Sequence, residues 1–150
     1  MTKQSSKRRR VVAKQPTRSR ELDAGLATAA PTAGGDDLDR ALEVMAAARR
    51  SLLESQAGLR AILRDSTDDA EQAQASVELL RIERDLELLE NRRTALVNGA
   101  ATLRPPSAAD MAEAQRLAGV LAQVLAANGK VAAIVGVTAD IVRLTEKLVA

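Results

Sequence analysis

The sequence predicts an all-α protein, an antiparallel three-helix bundle of coiled-coil type that follows a disordered, basic N-terminal tail. The first observation behind this prediction is the absence of Phe, Tyr and Trp from the 150 residues. Any core must therefore be made of Leu, Ile, Val, Ala and Met, which suits long helices packed side by side. The second observation is that leucines recur after residue 36 at alternating steps of three and four, the spacing of one helical face.

The N-terminal tail and linker, residues 1–35, is predicted to be disordered because it lacks a sustained apolar period. Residues 1–20 hold eight Lys and Arg and no acid; since the whole chain carries +2, residues 21–150 carry −6. A cluster in this tail is a possible polyanion-binding segment, because clustered cations displace counterions from phosphates. Its residues are Lys7, Arg8, Arg9 and Arg10. A solvated solubility tail is the alternative, and no aromatic side chain is present to stack on bases.

The composition also excludes several kinds of site. Without Cys there is no disulfide or thiolate metal site, and without His the commonest metal ligand and general base is missing. We therefore expect no cofactor, no metal site and no enzymatic activity. No apolar run has the roughly 20 residues of a transmembrane span or follows the charged N-terminus as in a signal peptide. We expect a cytoplasmic protein.

The predicted helical domain, residues 36–150, begins with a helix over about 37–64. Asp36 or Asp37 is its expected N-cap. Its apolar seam is interrupted by Arg49, whose charged head we expect to reach water, and by Gln56. The seam consists of Leu38, Leu42, Met45, Leu52, Leu59 and Leu63.

The second helix is predicted over about 68–98. The acids between residues 65 and 69 are interpreted as helix caps, because they lack the spacing of a calcium-binding loop. Asn98-Gly99 supplies the C-terminal stop, since Gly suits the left-handed cap position. The seam consists of Ala75, Leu79, Ile82, Leu86, Leu89 and Leu96, with Leu80, Leu88 and Val97 broadening it.

The third helix is predicted over about 108–149, after Pro105-Pro106 and a capping box of Ser107 with Asp110. Its second half carries two apolar sets, more than the stripe of roughly 100° that a helix needs to cover its own core. We interpret this surplus as a surface for another helix, and expect a charge at Ile141 to spare the fold. The heptad register shifts at Asn128-Gly129. This shift indicates a kink, a helix end, or a break that directs the last helical turns toward a partner.

This layout resembles the FlgN family of flagellar type III export chaperones over about residues 38–148. The resemblance lies in the order of a long helix, a short acidic turn, a charged Leu-rich helix, a linker and a long last helix. It extends to the run Leu86–Arg93, to Leu121-x-Gln123, and to the Asn128-Gly129 pair within the last helix.

The resemblance implies a function. Members of that family hold the terminal helical segments of hook-associated proteins before export, prevent their self-assembly and deliver them to the export machinery. The client would lie in a groove on the last helix, with apolar anchors at helical spacing. The residues implied are Val131, Ile134, Val135, Val137, Ile141, Val142, Leu144 and Leu148.

The sequence therefore predicts a non-enzymatic protein-interaction module, with export chaperone as its most concrete form. Two alternatives remain open. The surplus stripe can instead bury itself against a second copy, which makes a self-assembling structural coiled-coil protein and a homodimer. The basic arm can instead make this a nucleic-acid-associated protein, whose binding would weaken steeply with salt.

Overall fold

The computed structural model of this chain describes residues 34–150, so the predicted disordered tail and its Lys7–Arg10 cluster lie outside the described residues. The helices are α1 (Gly34–Asp65), α2 (Asp69–Val97), α3 (Ala108–Ala126) and α4 (Val131–Glu146). The prediction of an all-α protein is confirmed for this part of the chain, which contains no strand. The predicted helix count was wrong, because the third helix is divided into α3 and α4.

The start of α1 differs from the predicted one. The helix begins at Gly34, so Asp36 and Asp37 lie in its first turn instead of capping it. Carboxylates in this position still interact favourably with the N-terminal end of the helix dipole. Asp37 also forms an ion pair with Arg40, with 2.9 Å between Oδ1 and the guanidinium.

The connection from α1 to α2 is three residues long and is held by side chains. Asp68 is the N-cap of α2, and its Oδ1 accepts a hydrogen bond of 2.9 Å from the backbone N–H of Ala70. Gln72 donates from Nε2 to the carbonyl of Ser66 at 2.7 Å. The prediction that an acid of this turn caps the second helix is confirmed at Asp68.

A Schellman motif ends α2. Gly99 has a φ of 71°, and its N–H donates to the carbonyl of Leu96 at 3.2 Å. The N–H of Ala100 donates to the carbonyl of Ala95 at 2.8 Å. These two bonds satisfy carbonyls that the helix end leaves free, and they confirm the predicted stop at Asn98-Gly99.

A second Schellman motif ends α3, and here the left-handed residue is Asn128, with a φ of 53°. The N–H of Gly129 donates to the carbonyl of Val124 at 2.8 Å, and that of Asn128 to the carbonyl of Leu125 at 3.2 Å. A Cβ on Gly129 would lie 2.8 Å from the oxygen of Val124. Of the three outcomes left open by the sequence, a helix end is the one found.

The start of α3 is the predicted capping box. Ser107 Oγ accepts from the backbone N–H of Asp110 at 3.1 Å, and Asp110 Oδ2 accepts from the backbone N–H of Ser107 at 2.9 Å. The hydrogen bond from the Ser107 backbone lowers the pKa of the Asp110 carboxyl below its ordinary value, because it favours the charged form.

The C-terminal residues are attached to the α2–α3 linker. An isolated antiparallel bridge pairs Leu103 with Val149. The N–H of Arg104 donates to the carbonyl of Leu148 at 2.9 Å, and that of Ala150 to the carbonyl of Thr102 at 3.0 Å. The sequence predicted that the last helix continues to residue 149. In the structure it ends at Glu146, and the residues that follow pair with the backbone of the linker.

One apolar core lies within the unit Asp37–Ala150 and receives side chains from all four helices. The predicted seams of α1 and α2 are confirmed, since every member is buried in this core or partly buried against it. Arg49 is exposed as expected, whereas Gln56 is buried. Leu80, Leu88 and Val97 do not broaden the buried stripe; they are exposed.

Among residues 34–150, no helix has both the length and the apolar character needed to cross a membrane.

The two Asn-Gly pairs allow a matched test of the α3 end. We expect Asn128→Ala to lower the free energy of unfolding by about 1 kcal/mol, since Ala is disfavoured at positive φ. Asn98→Ala is the control: Asn98 has a φ of −84°, so its replacement should cost less than about 0.5 kcal/mol. Urea unfolding of both variants measures the difference, and equal losses would contradict the assigned geometry.

The capping box predicts a pH dependence. Because folding lowers the pKa of Asp110, its ionised carboxylate stabilises the fold above the unfolded-state pKa, and this contribution disappears as the pH falls through the folded-state pKa. Asp110→Asn should therefore be less stable than the wild type above about pH 5, and the difference should shrink below about pH 4. Thermal unfolding across this range measures it; a pH-independent difference would contradict the carboxylate's role.

Candidate protein-interaction groove

Most of the residues predicted to bind a client belong to the chain's own core. Six of the eight are buried, and only Val135 and Val142 are partly exposed. The buried ones are Val131, Ile134, Val137, Ile141, Leu144 and Leu148. The expectation of an open apolar surface on the last helix was therefore wrong for this structure, and a client role for these residues stays a prediction.

The surplus apolar residues are buried because the other three helices enclose α4. Thr138 Oγ1 lies 3.3 Å from Ser55 Oγ of α1. Arg92 of α2 lies 3.8 Å from the Glu146 carboxylate, and α3 packs on α4 across the helix end at Asn128. A helix covered on several sides needs apolar residues around much of its circumference.

Val135 and Val142 line a small cavity of about 190 Å³ between α2 and α4, together with Glu78, Arg81 and Asp85. Partial burial of Asp85 raises the pKa of its carboxyl, while the nearby arginines oppose this effect. The cavity is below the roughly 300 Å³ at which ligand pockets begin. This cavity accounts for the partial exposure of Val135 and Val142, so no ligand is needed to explain that exposure.

A larger opening, which we call the Gly58 groove, lies where α1, the α1–α2 turn and the α3–α4 break meet. Its volume is about 860 Å³, within the range of about 300–1,000 Å³ typical of ligand sites. We call its apolar lining residues the floor: Ala57, Gly58, Ala61, Ile62, Leu125 and Ile134. We call the other lining residues the rim: Glu54, Asp65, Ser66, Thr67, Asp68, Glu71, Asn128 and Gly129. The floor is apolar and the rim is mostly polar.

Two small residues shape this groove. A Cβ on Gly58 would collide with Cδ2 of Leu125 and lie 3.6 Å from Cδ1 of Ile134, so the glycine admits both side chains against the α1 backbone. Gly129 similarly admits the carbonyl of Val124 at the end of α3. The chain can therefore turn from α3 into α4 close to α1, which leaves the groove beside the turn.

The ionisable side chains that line the groove are all acidic. Glu54, Asp65, Asp68 and Glu71 line it, and no Lys or Arg is among its described lining residues. Ser66 donates from Oγ to Glu71 Oε2 at 3.0 Å, and Asp65 pairs with the neighbouring Arg64 at 3.1 Å. The groove therefore combines an apolar floor with an acidic rim.

The outer side of α2 carries a second apolar feature. Val77 is 57% exposed and Leu80 68% exposed. Leu88, also exposed, lies about two turns beyond Leu80 and three beyond Val77. They lie within about 80° of one another around the helix axis. The sequence predicted that Leu80 and Leu88 broaden the buried seam of this helix; the structure instead leaves them exposed on the same side as Val77.

The sequence did not reveal the Gly58 groove, because its lining comes from three segments that are far apart in the chain. The only indications were Gly58 in the middle of a predicted helix and the register slip at Asn128-Gly129. Within residues 34–150, no group of three His, Cys, Asp or Glu side chains has a metal-binding arrangement.

The burial of α4 changes the expected effect of a charge at Ile141. Ile141→Asp should destabilise the protein by more than about 3 kcal/mol, because it buries an unpaired carboxylate. Ala133→Asp is the control: Ala133 is exposed in the first turn of α4, where an acid is tolerated. Circular dichroism during thermal unfolding distinguishes them. A folded Ile141→Asp protein of native stability would contradict the buried position.

Comparisons of this chain with protein-family models, with curated proteins and with solved structures found no match.

Proposed function

We propose that this chain is a non-enzymatic protein-interaction module that binds an amphipathic helix of another protein in the Gly58 groove. The observation that carries this proposal is an open apolar floor surrounded by polar residues, at the junction of three chain segments. Grooves of this kind bind the apolar face of a helix through side chains at i, i+3, i+4 and i+7.

The dimensions of the groove support a helical ligand. Along α1 the lining extends from Glu54 to Asp65, a separation of eleven residues that corresponds to a rise of about 16 Å. This length equals about three turns of a bound helix. The small residues Ala57 and Ala61 leave room on the floor for larger apolar side chains from the partner.

We also propose that the four helices form an antiparallel bundle of coiled-coil type, the packing that the sequence predicted for three helices. The three-residue connection between α1 and α2 supports antiparallel neighbours. The Gln72 side chain also reaches the carbonyl of Leu63, at 3.4 Å. The Ser55–Thr138 and Arg92–Glu146 contacts support α4 as the helix between α1 and α2.

The most concrete form of the proposal is the export chaperone implied by the FlgN resemblance. Of the residues implied there as the client surface, Ile134 lines the Gly58 groove. The client helix is therefore proposed to contact the beginning of α4 and the adjacent part of α1. Of the remaining implied residues, five are buried in the core and Val135 and Val142 line the small cavity between α2 and α4.

Self-association is a second candidate, favoured by the apolar stripe of Val77, Leu80 and Leu88 on α2. A second copy that packed on this stripe would remove three exposed apolar side chains from water. Sedimentation at increasing concentration measures it, and Leu80→Glu should abolish any dimer found.

Affinity capture with the full chain tests the Gly58 groove. We expect the wild-type chain to retain one partner, and Ala57→Trp to lose it, because the indole fills the floor at an exposed position. Ala112→Trp is the matched control on the exposed side of α3, outside the groove, and should retain the partner. Mass spectrometry identifies the partner, and truncation maps the segment bound.

Retention of the same partner by Ala57→Trp would contradict the proposed location. A partner segment that stays non-helical when bound would contradict the proposed mode of recognition.

A further inference from the structure

We infer that the helix bound by the Gly58 groove is cationic, with Lys or Arg flanking its apolar face at both ends. This inference rests on the proposed function and adds the chemistry of the partner. It follows from the sign and the placement of the charges on the rim of the groove.

The sign of the rim charges distinguishes this groove from two other openings in the described part of the chain. All four ionisable side chains that line it are acids. By contrast, a groove of about 560 Å³ between α1 and α2 is lined by two arginines and two glutamates. The small cavity between α2 and α4 also combines Arg81 with two acids. The uniform sign of the lining charges in the Gly58 groove is therefore not shared by these two openings.

The placement of the acids matches a helix of about three turns. Glu54 and Asp65 are eleven residues apart on α1, which places them about 16 Å apart and within about 20° around the helix axis. They therefore mark the two ends of one side of the groove. Asp68 and Glu71 lie beyond the α1–α2 turn, at the Asp65 end.

The acids retain capacity to accept further hydrogen bonds. Among the described residues, Glu54 has no ion-pair partner within 4.0 Å, and Glu71 accepts a hydrogen bond only from Ser66. Asp65 is paired with an exposed arginine. Since a carboxylate has about four lone-pair sites, each of them can accept from a Lys or Arg of the partner.

The floor and the rim then have different effects on binding. Burial of the partner's apolar side chains on the floor supplies affinity at about 25 cal/mol per Å² before the costs of association. The rim charges mainly select the partner, orient it and accelerate its association, and their effect is screened by salt. An acidic helix of the same apolar content should be rejected by like-charge repulsion.

The test uses a synthetic amphipathic helix of about 18 residues, long enough to be helical, with Leu on one face and Lys on the other. A peptide with Glu in place of Lys and a scrambled Leu/Lys peptide are the ligand controls. We expect the Lys peptide to bind the full chain in fluorescence anisotropy, and the two controls to bind at least about tenfold more weakly.

The protein variants assign the effect to the rim. Glu54→Gln combined with Asp65→Asn should weaken binding of the Lys peptide about fivefold, as expected for two partly exposed ion pairs. The same pair of substitutions should reduce its dependence on NaCl between about 0.05 and 0.5 M. Glu83→Gln combined with Glu87→Gln, two exposed acids of α2, should change the affinity less than about twofold.

Three results would overturn the inference. Equal binding of the Lys and Glu peptides, abolished for both by Ala57→Trp, would remove the charge selectivity but leave the proposed function in place. Equal binding of the scrambled peptide would show unspecific charge attraction only. A larger loss in the Glu83/Glu87 variant than in the Glu54/Asp65 variant would place the cationic ligand on another surface.

Discussion

The enclosure of α4 by α1, α2 and α3 is the packing interaction on which the rest of this structure depends. Without aromatic side chains, the core obtains its volume from many aliphatic contacts, and α4 supplies buried residues over almost its whole length. Close approach requires small groups at the contact with α1. Gly58 admits Leu125 and Ile134, and the hydroxyls of Ser55 and Thr138 each donate to a carbonyl of their own helix, at 2.9 and 2.7 Å. Their polar atoms are thereby satisfied inside the core.

The same packing produces the proposed interaction site. For α4 to enter the core, α3 must end before it, and the Schellman motif at Asn128-Gly129 provides that end. The connection between α3 and α4 lies beside the last turns of α1. Ala57, Gly58 and Ala61 have small or no side chains there, which leaves space at the surface. The Gly58 groove is therefore a consequence of how α4 is accommodated. Its acidic rim comes largely from the residues that end α1 and begin α2, where carboxylates also cap the helix.

These acids have a role in folding as well as in the proposed recognition of a partner. Asp68 is needed to begin α2 and at the same time contributes negative charge to the groove. Glu54 has no such structural contact among the described hydrogen bonds and ion pairs, so its charge is available for a partner. Val77, Leu80 and Leu88 form a separate apolar surface on the outer side of α2. The two proposals are therefore compatible: binding of a helix in the groove and self-association through α2 use different surfaces.

The sequence by itself determined the features that depend on neighbouring residues: the helical class, the seams of α1 and α2, the capping box at Ser107, and the stop at Gly99. The tertiary structure decided the rest. Two identical Asn-Gly pairs place different residues in the left-handed position, Gly99 and Asn128, because at the second pair the close Val124 carbonyl requires a glycine one position later. A wide apolar stripe on α4 has the same sequence pattern whether a partner or its own chain covers it, since the hydrophobic effect depends only on the apolar surface removed from water. Here the chain covers it, and the open groove lies where three distant segments meet.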